Sequence, residues 1–206
     1  MRYAVGGILL YVVATVFVIY SILNSEHALG MVNYRWWGIL FWLTMVFTAV
    51  NAIAKSFTQE NRERMLYYYT LVRPQSIILA KLLYNMLLML VLGVVASIVF
   101  FVMLGTPVKN FAVFLITLVL GGSGFSFVLT LISSIASKAD NNATLMPILS
   151  LPIILVFILV LMKFAGSAFF IDTTLSGVGK DIAVLVAFDV MLVSLSYILF
   201  PYLWRD

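Results

Sequence analysis

Few side chains in this sequence could take part in chemistry within a hydrophobic environment, and Asp189 is the acidic one that lies clearly inside a long apolar run. An ion buried in a membrane is costly and normally faces protein or water, which makes Asp189 a functional candidate. At 1.5 Å per residue it lies about 10 Å from the outer end of its run, so its carboxylate could instead reach lipid headgroups or pair with Lys180 or another outer cation. The sequence leaves both interpretations open.

The remaining polar residues do not form a catalytic set. His27 stands beside Glu26, and a single imidazole without neighbouring ligands makes a poor metal or haem site, so no metal site is predicted. Residues 177–181 imitate the end of a phosphate-binding loop but lack its first glycine and the Ser or Thr that should follow Lys180. We therefore expect no ATP hydrolysis by this chain itself and no enzyme activity.

Composition predicts the surroundings of these residues. Of the 206 residues, 64% are hydrophobic and 10% are charged, whereas soluble domains carry about 25% charged residues. So few polar side chains cannot cover a soluble core, and we expect an integral membrane protein with lipid at its surface, built as one transmembrane domain over 1–206. The net charge of +4 comes from basic residues spread along loops, which indicates membrane orientation and not nucleic-acid binding. Cysteine is absent, so disulfides and thiolate sites are excluded.

Six apolar runs have the length of about 20 residues that a membrane span requires. They are 3–23, 36–54, 76–104, 111–136, 144–164 and 182–203. Because lipid satisfies no backbone groups and the runs lack the alternation of barrel strands, the sequence predicts an all-α bundle of six transmembrane helices. A cytoplasmic N-terminus places eight Lys and Arg residues inside and four outside, which favours an N-in/C-in orientation.

The ends of the runs carry aromatic residues. Trp36 and Trp37, like Tyr202 and Trp204 at the other end of the chain, are expected in the aromatic belts at the membrane boundaries. The long outer connection, 165–181, is predicted to dip into the interface as a short re-entrant or amphipathic piece.

One compact segment, 55–73, concentrates the charge of the chain between the second and third runs. Its apolar residues recur at roughly helical spacing, which predicts an amphipathic helix on the inner surface that docks to a cytosolic partner. The alternative is a solvated loop with interfacial tyrosines.

Small and hydroxylated residues recur along two of the runs. Gly122, Ser126, Thr130 and Ser134 fall at successive i+4 positions, and Asn85 shares a face of the third run with Gly93 and Ser97. Small residues let helix backbones approach and hydroxyls can bond across helices, so these faces indicate either tight packing or a seam that moves during transport.

The fifth run contains two prolines, Pro147 and Pro152. Each removes a backbone donor and clashes with the preceding turn, so this helix is predicted to be kinked or broken near its inner end. The bend could be static or a hinge.

A resemblance rests on several short motifs in a fixed order. They are 57–60, Met65-Leu66, Pro74, Ala80-Lys81, 121–126, 133–138 and 149–153. In this order and spacing the chain resembles the CcmB family, which supplies a membrane component of the haem exporter in bacterial cytochrome c maturation. The resemblance implies a multi-pass permease of the type-2 ABC exporter class in the bacterial inner membrane.

The resemblance also implies partners. They are a separate CcmA-like ATPase, CcmC-like and CcmD-like membrane subunits, and a second copy of the permease, with ATP use tied to haem export or to release of a haem-loaded chaperone. ATP would bind the partner subunit, and haem would be a substrate and not a resident cofactor of this chain. By family analogy the inner segment is the coupling helix, whose contacts would be Gln59, Glu60, Arg62, Glu63, Arg64 and Arg73.

Two other functions fit the same residues. One is a type-2 ABC permease for a lipid, polysaccharide or drug, because an apolar seam suits those substrates as well. The other is a membrane scaffold that recruits assembly factors without transport.

Overall fold

The computed structural model describes residues 2–25, 34–53, 73–137, 142–170 and 175–205, and within these ranges the protein contains helices and no strands. The helices are α1 (Arg2–Ser25), α2 (Tyr34–Ile53), α3 (Pro74–Leu104), α4 (Phe111–Ala136), α5 (Asn142–Ser167) and α6 (Leu175–Arg205). The predicted all-α class is therefore confirmed for the described chain.

Five of these helices, α2 to α6, are long and apolar enough to cross a membrane. In α1 the described apolar stretch, Leu10–Ser21, is shorter than a span. The structure thus supports a multi-pass membrane protein with five qualifying helices, and the sixth span stays a prediction.

Helix α4 occupies the centre of the bundle. It packs against α2, α3, α5 and α6, whereas α1 packs against α2 and α3 at the periphery. Every residue from 121 to 134 is buried, so this half of α4 has no face left for lipid. Helix α4 therefore positions the three hydroxyl residues of the predicted i+4 series, Ser126, Thr130 and Ser134, in the interior.

The local sequence explains where α3 and α4 begin and end. Helix α3 begins with Pro74, which needs no backbone donor in the first turn, and Arg73 before it has the extended backbone that a following proline favours. Gly105 ends α3 with a φ of 77°, a conformation that costs glycine little. The Asn110 side chain accepts a hydrogen bond from the Val113 amide at 3.2 Å and so caps the start of α4.

In the outer connection 165–181, α5 continues to Ser167 and α6 begins at Leu175. The predicted interfacial piece falls partly on residues 171–174, outside the described residues, and stays a prediction. Between them Phe169 is buried, and the Ala168 carbonyl accepts hydrogen bonds from the amides of Lys109 at 3.1 Å and Asn110 at 2.9 Å. The two connections at this end, which we call the outer end, are thus joined through their backbones.

Helix α5 runs without interruption through Pro147 and Pro152. The prediction allowed either a kink or a break, and the helix is not broken, since packing within a helix bundle lets a membrane helix tolerate the lost backbone bonds. A bend at these prolines stays a prediction. Helix α6 contains a further internal proline, Pro201, which the sequence reasoning did not single out.

The two adjacent tryptophans have opposite surroundings. Trp36 is 63% exposed, as expected for an aromatic belt, but Trp37 is 1% exposed. The Trp37 ring stacks on Phe41 with a centroid distance of 5.3 Å, and its indole N–H donates to the Gly105 carbonyl at 3.2 Å. The belt assignment of Trp37 is wrong, because a hydropathy pattern does not tell lipid-facing from protein-facing aromatic residues.

Candidate functional site in the helix bundle

A hydrogen bond joins two of the predicted polar residues across the α3–α4 interface. The side-chain amide of Asn85 donates to Thr130 Oγ1 at 2.9 Å, and both residues are at least 99% buried. The Thr130 hydroxyl in turn donates to the Ser126 carbonyl at 2.6 Å. A polar contact of this kind fixes the register of two helices that are otherwise held by apolar packing.

The other small and hydroxylated residues are also buried, but their side chains mostly satisfy their own helices. Ser134 donates to the Leu131 carbonyl at 2.6 Å and Ser97 to the Gly93 carbonyl at 2.7 Å. The Ser126 hydroxyl has no hydrogen-bond partner within the described part of the chain. The structure therefore brings Asn85 and Thr130 together, while Ser97 and Ser134 act within single helices.

Gly122 is not the closest approach between helices. A Cβ atom added there would lie 3.8 Å or more from its nearest neighbours, which is an ordinary contact. At Gly121 the added atom would lie 2.5 Å from the Trp42 ring, and at Gly124 it would overlap the Phe157 ring. The closest approaches on α4 are thus at Gly121 and Gly124, on the sides that face α2 and α5. Gly93 on α3 is also tight, since an added Cβ would lie 3.1 Å from the Leu118 side chain.

Asp189 faces the interior of the bundle. Its side chain is 8% exposed, and Oδ2 is hydrogen-bonded to Ser123 Oγ at 2.5 Å. Its other oxygen, Oδ1, has no hydrogen-bond partner among the residues described. The sequence reasoning had not assigned Ser123 any role, since it lies outside the i+4 series on α4.

Asp189 lies further from the beginning of its helix than predicted. The apolar part of α6 runs from Gly177 to Leu203, which places Asp189 about 18 Å from one end and about 21 Å from the other. Lys180 is exposed, and the outer ion pair joins Lys163 Nζ and Asp181 Oδ1 at 2.9 Å. Asp189 therefore does not pair with Lys180, and its described hydrogen-bond contact is Ser123; its depth relative to the headgroups stays a prediction.

Most of the predicted coupling residues cannot be placed. Gln59, Glu60, Arg62, Glu63 and Arg64 lie outside the described residues, as does His27. Arg73 is described: it is exposed and directly precedes α3. A backbone bond from the Ser76 amide to the Arg73 carbonyl, at 3.0 Å, ties it to the first turn of that helix.

A groove lies at the outer end, between α2 and α5. Its lining combines two basic residues with glycine, aromatic and aliphatic residues: Arg35, Gly38, Ile39, Met162, Lys163, Ala165, Gly166, Ser167, Phe169 and Phe170. Within the described ranges, no group of three His, Cys, Asp or Glu residues could hold a metal ion.

Fold and site together define a multi-pass helical membrane protein whose interior polar groups join helices. The family model for the CcmB protein matches residues 5–202. The chain belongs to the CcmB family, the membrane permease component of the haem-export system for cytochrome c maturation. Searches of curated proteins and of solved structures found no significant match.

Proposed function

We propose that this chain is the permease subunit of an ABC-type complex in the bacterial inner membrane, driven by a separate CcmA-like ATPase. The family match over 5–202 carries this proposal. The sequence supports it, because it contains no phosphate-binding loop of its own. The chain would form a single domain of six spans, with both termini in the cytoplasm.

The charged segment before α3 would be the coupling element. Its four central charges, Glu60, Arg62, Glu63 and Arg64, stand together in a chain that is otherwise poor in charge. Charges of both signs suit a complementary surface on a soluble ATPase, where they set orientation and the rate of association.

Helix α3 offers a direct route from that element to the centre of the bundle. It begins at Pro74, next to Arg73, and reaches Asn85 eleven residues further along, a rise of about 16 Å. There the bond between Asn85 and Thr130 connects α3 to α4. A movement of the inner segment would thus be passed to the central helix by rigid displacement of α3.

Haem would be the substrate of the complex, exported or released on a loaded chaperone. The groove at the outer end supports this choice, because it combines an apolar and aromatic lining with two basic residues, Arg35 and Lys163. The apolar lining suits a flat apolar molecule, and the basic residues suit its carboxylates. The CcmC-like and CcmD-like subunits and a second permease copy would cover apolar helix faces that the isolated chain leaves exposed.

The test is capture of the ATPase. Charge reversal of Arg62 and Arg64 to Glu should reduce co-purification of the CcmA-like ATPase from native membranes by about tenfold, equivalent to about 1.4 kcal/mol. Membrane insertion should be unaffected, because the segment lies outside the apolar runs.

The matched control replaces two other basic residues predicted on the inner side, Lys138 and Arg205, by Glu. It changes the net charge of the inner side by the same amount as the test variant. It should leave ATPase capture intact. If both double variants capture as much ATPase as the native chain, the assignment of the coupling element is refuted.

A further inference from the structure

Asp189 lies where an ionised carboxylate has little to stabilise it. It is buried near the middle of α6, and Ser123 supplies the hydrogen-bond contact described for its side chain. Its second oxygen, Oδ1, is buried and has no hydrogen-bond partner in the described ranges. The same is true of Ser126 Oγ on helix α4. A charge in such surroundings would be stabilised by one neutral hydroxyl, which is poor compensation for lost hydration.

Charged groups on the neighbouring helices do not change this. Helices α3, α4 and α5 pack against α6, and α4 carries no titratable side chain. Helix α3 carries Lys81 and Tyr84, towards its beginning, and Tyr84 is 52% exposed. Helix α5 carries Lys163, which pairs with Asp181 at the outer end. The one described contact of Asp189 is therefore with a neutral group.

The Ser123 hydroxyl lies within hydrogen-bond reach of two oxygen atoms. Ser123 Oγ is 2.5 Å from Asp189 Oδ2 and 3.0 Å from the Leu120 carbonyl oxygen. A serine hydroxyl has one hydrogen to donate, and a backbone carbonyl has none. A single hydroxyl hydrogen shared between the Leu120 carbonyl and Asp189 Oδ2 is weak compensation for a buried carboxylate, whereas a protonated Asp189 could itself donate to Ser123 Oγ.

We propose that Asp189 is a proton-binding site of the helix bundle, neutral while α4 and α6 are packed together. This site does not depend on what the complex transports or on which ATPase drives it.

Infrared spectroscopy of the full chain in lipid vesicles tests the site. The native chain should show the carbonyl stretch of a protonated carboxylic acid at neutral pH, and Asp189→Asn should lose it. Ser123→Ala should keep the band but shift it, because the hydrogen-bond acceptor is gone. Asp181→Asn, at the exposed outer ion pair, is the matched control and should leave the band unchanged.

A measurement on the native chain covers the case in which the variants fail to fold. Labelling aspartate with carbon-13 at the side-chain carboxyl should shift the same band to lower frequency. A native chain without a protonated-acid band at neutral pH, or with a band that aspartate labelling does not shift, refutes the proposal. So does a band that survives Asp189→Asn.

Discussion

Replacing Gly124 by alanine should destabilise the bundle although alanine is the better helix former. An alanine Cβ would lie 2.5 and 2.8 Å from the two Cε atoms of Phe157, where favourable carbon–carbon contacts are about 3.5–4.0 Å. The ring cannot easily withdraw, because it is 1% exposed and lies against Phe125 and Phe188, with centroid distances of 5.2 and 5.1 Å. Either α5 or the ring stack must therefore move by about 1 Å.

The size of the effect follows from two opposing terms. Overpacking a core costs about 1–3 kcal/mol, and the severity of this overlap places it near the upper end. Gly→Ala in a helix returns up to about 1 kcal/mol. The net loss of about 2 kcal/mol should lower the melting temperature by about 4–8 °C for a chain of this size.

Thermal unfolding of the purified chain in detergent measures this shift. Gly122→Ala is the matched control, since the same substitution two residues away meets neighbours at 3.8 Å or more, and it should leave the melting temperature unchanged or raise it. Combining Gly124→Ala with Phe157→Leu should cost less than the sum of the single changes, because the smaller side chain relieves the overlap. Equal melting temperatures for Gly124→Ala and Gly122→Ala would refute the packing argument.

Two further changes test the polar contacts with the same assay. Thr130→Val keeps the shape of the side chain but removes the acceptor for Asn85, and it should cost about 1 kcal/mol; no change in melting temperature would mean that this bond does not hold α3 against α4. Trp37→Phe removes the donor to the Gly105 carbonyl and should cost about 1 kcal/mol, whereas Trp37→Ala empties a buried ring site and should cost about 3–5 kcal/mol. Similar losses for both Trp37 variants would contradict the view that ring packing is the main contribution.

The apolar runs predicted the helices well wherever polar residues end a run sharply. The fourth run has the same bounds in the sequence and in the structure, 111–136, because the cap at Asn110 coincides with the change in composition. The start of the sixth run was misplaced, because Gly177, Gly179 and Lys180 looked like loop residues. Asp189 is therefore near the middle of α6, and not about two turns from the outer end of the helix as predicted.

Side-chain partners were harder to predict than helices. In a membrane protein both lipid-facing and protein-facing positions are apolar, so hydropathy does not indicate which side of a helix is buried. Trp36 and Trp37 illustrate this, since they are adjacent residues of the same type, yet Trp36 is 63% exposed and Trp37 is 1% exposed. The bond between Asn85 and Thr130 joins residues 45 positions apart, and nothing in a single sequence aligns the two helices.

The central position of α4 has a consequence for biogenesis. The chain is made from its N-terminus, so α4 enters the bilayer before two of its neighbours, α5 and α6, exist, and it first meets lipid where protein will later surround it. Three of its hydroxyl groups can be satisfied in lipid, because Thr117, Thr130 and Ser134 donate to carbonyls of α4 itself and need no acceptor on another helix. Helix α4 must therefore be stable first in lipid and then in protein, and Ser123, which also contacts the Leu120 carbonyl of its own helix, gains its contact with Asp189 when α6 arrives.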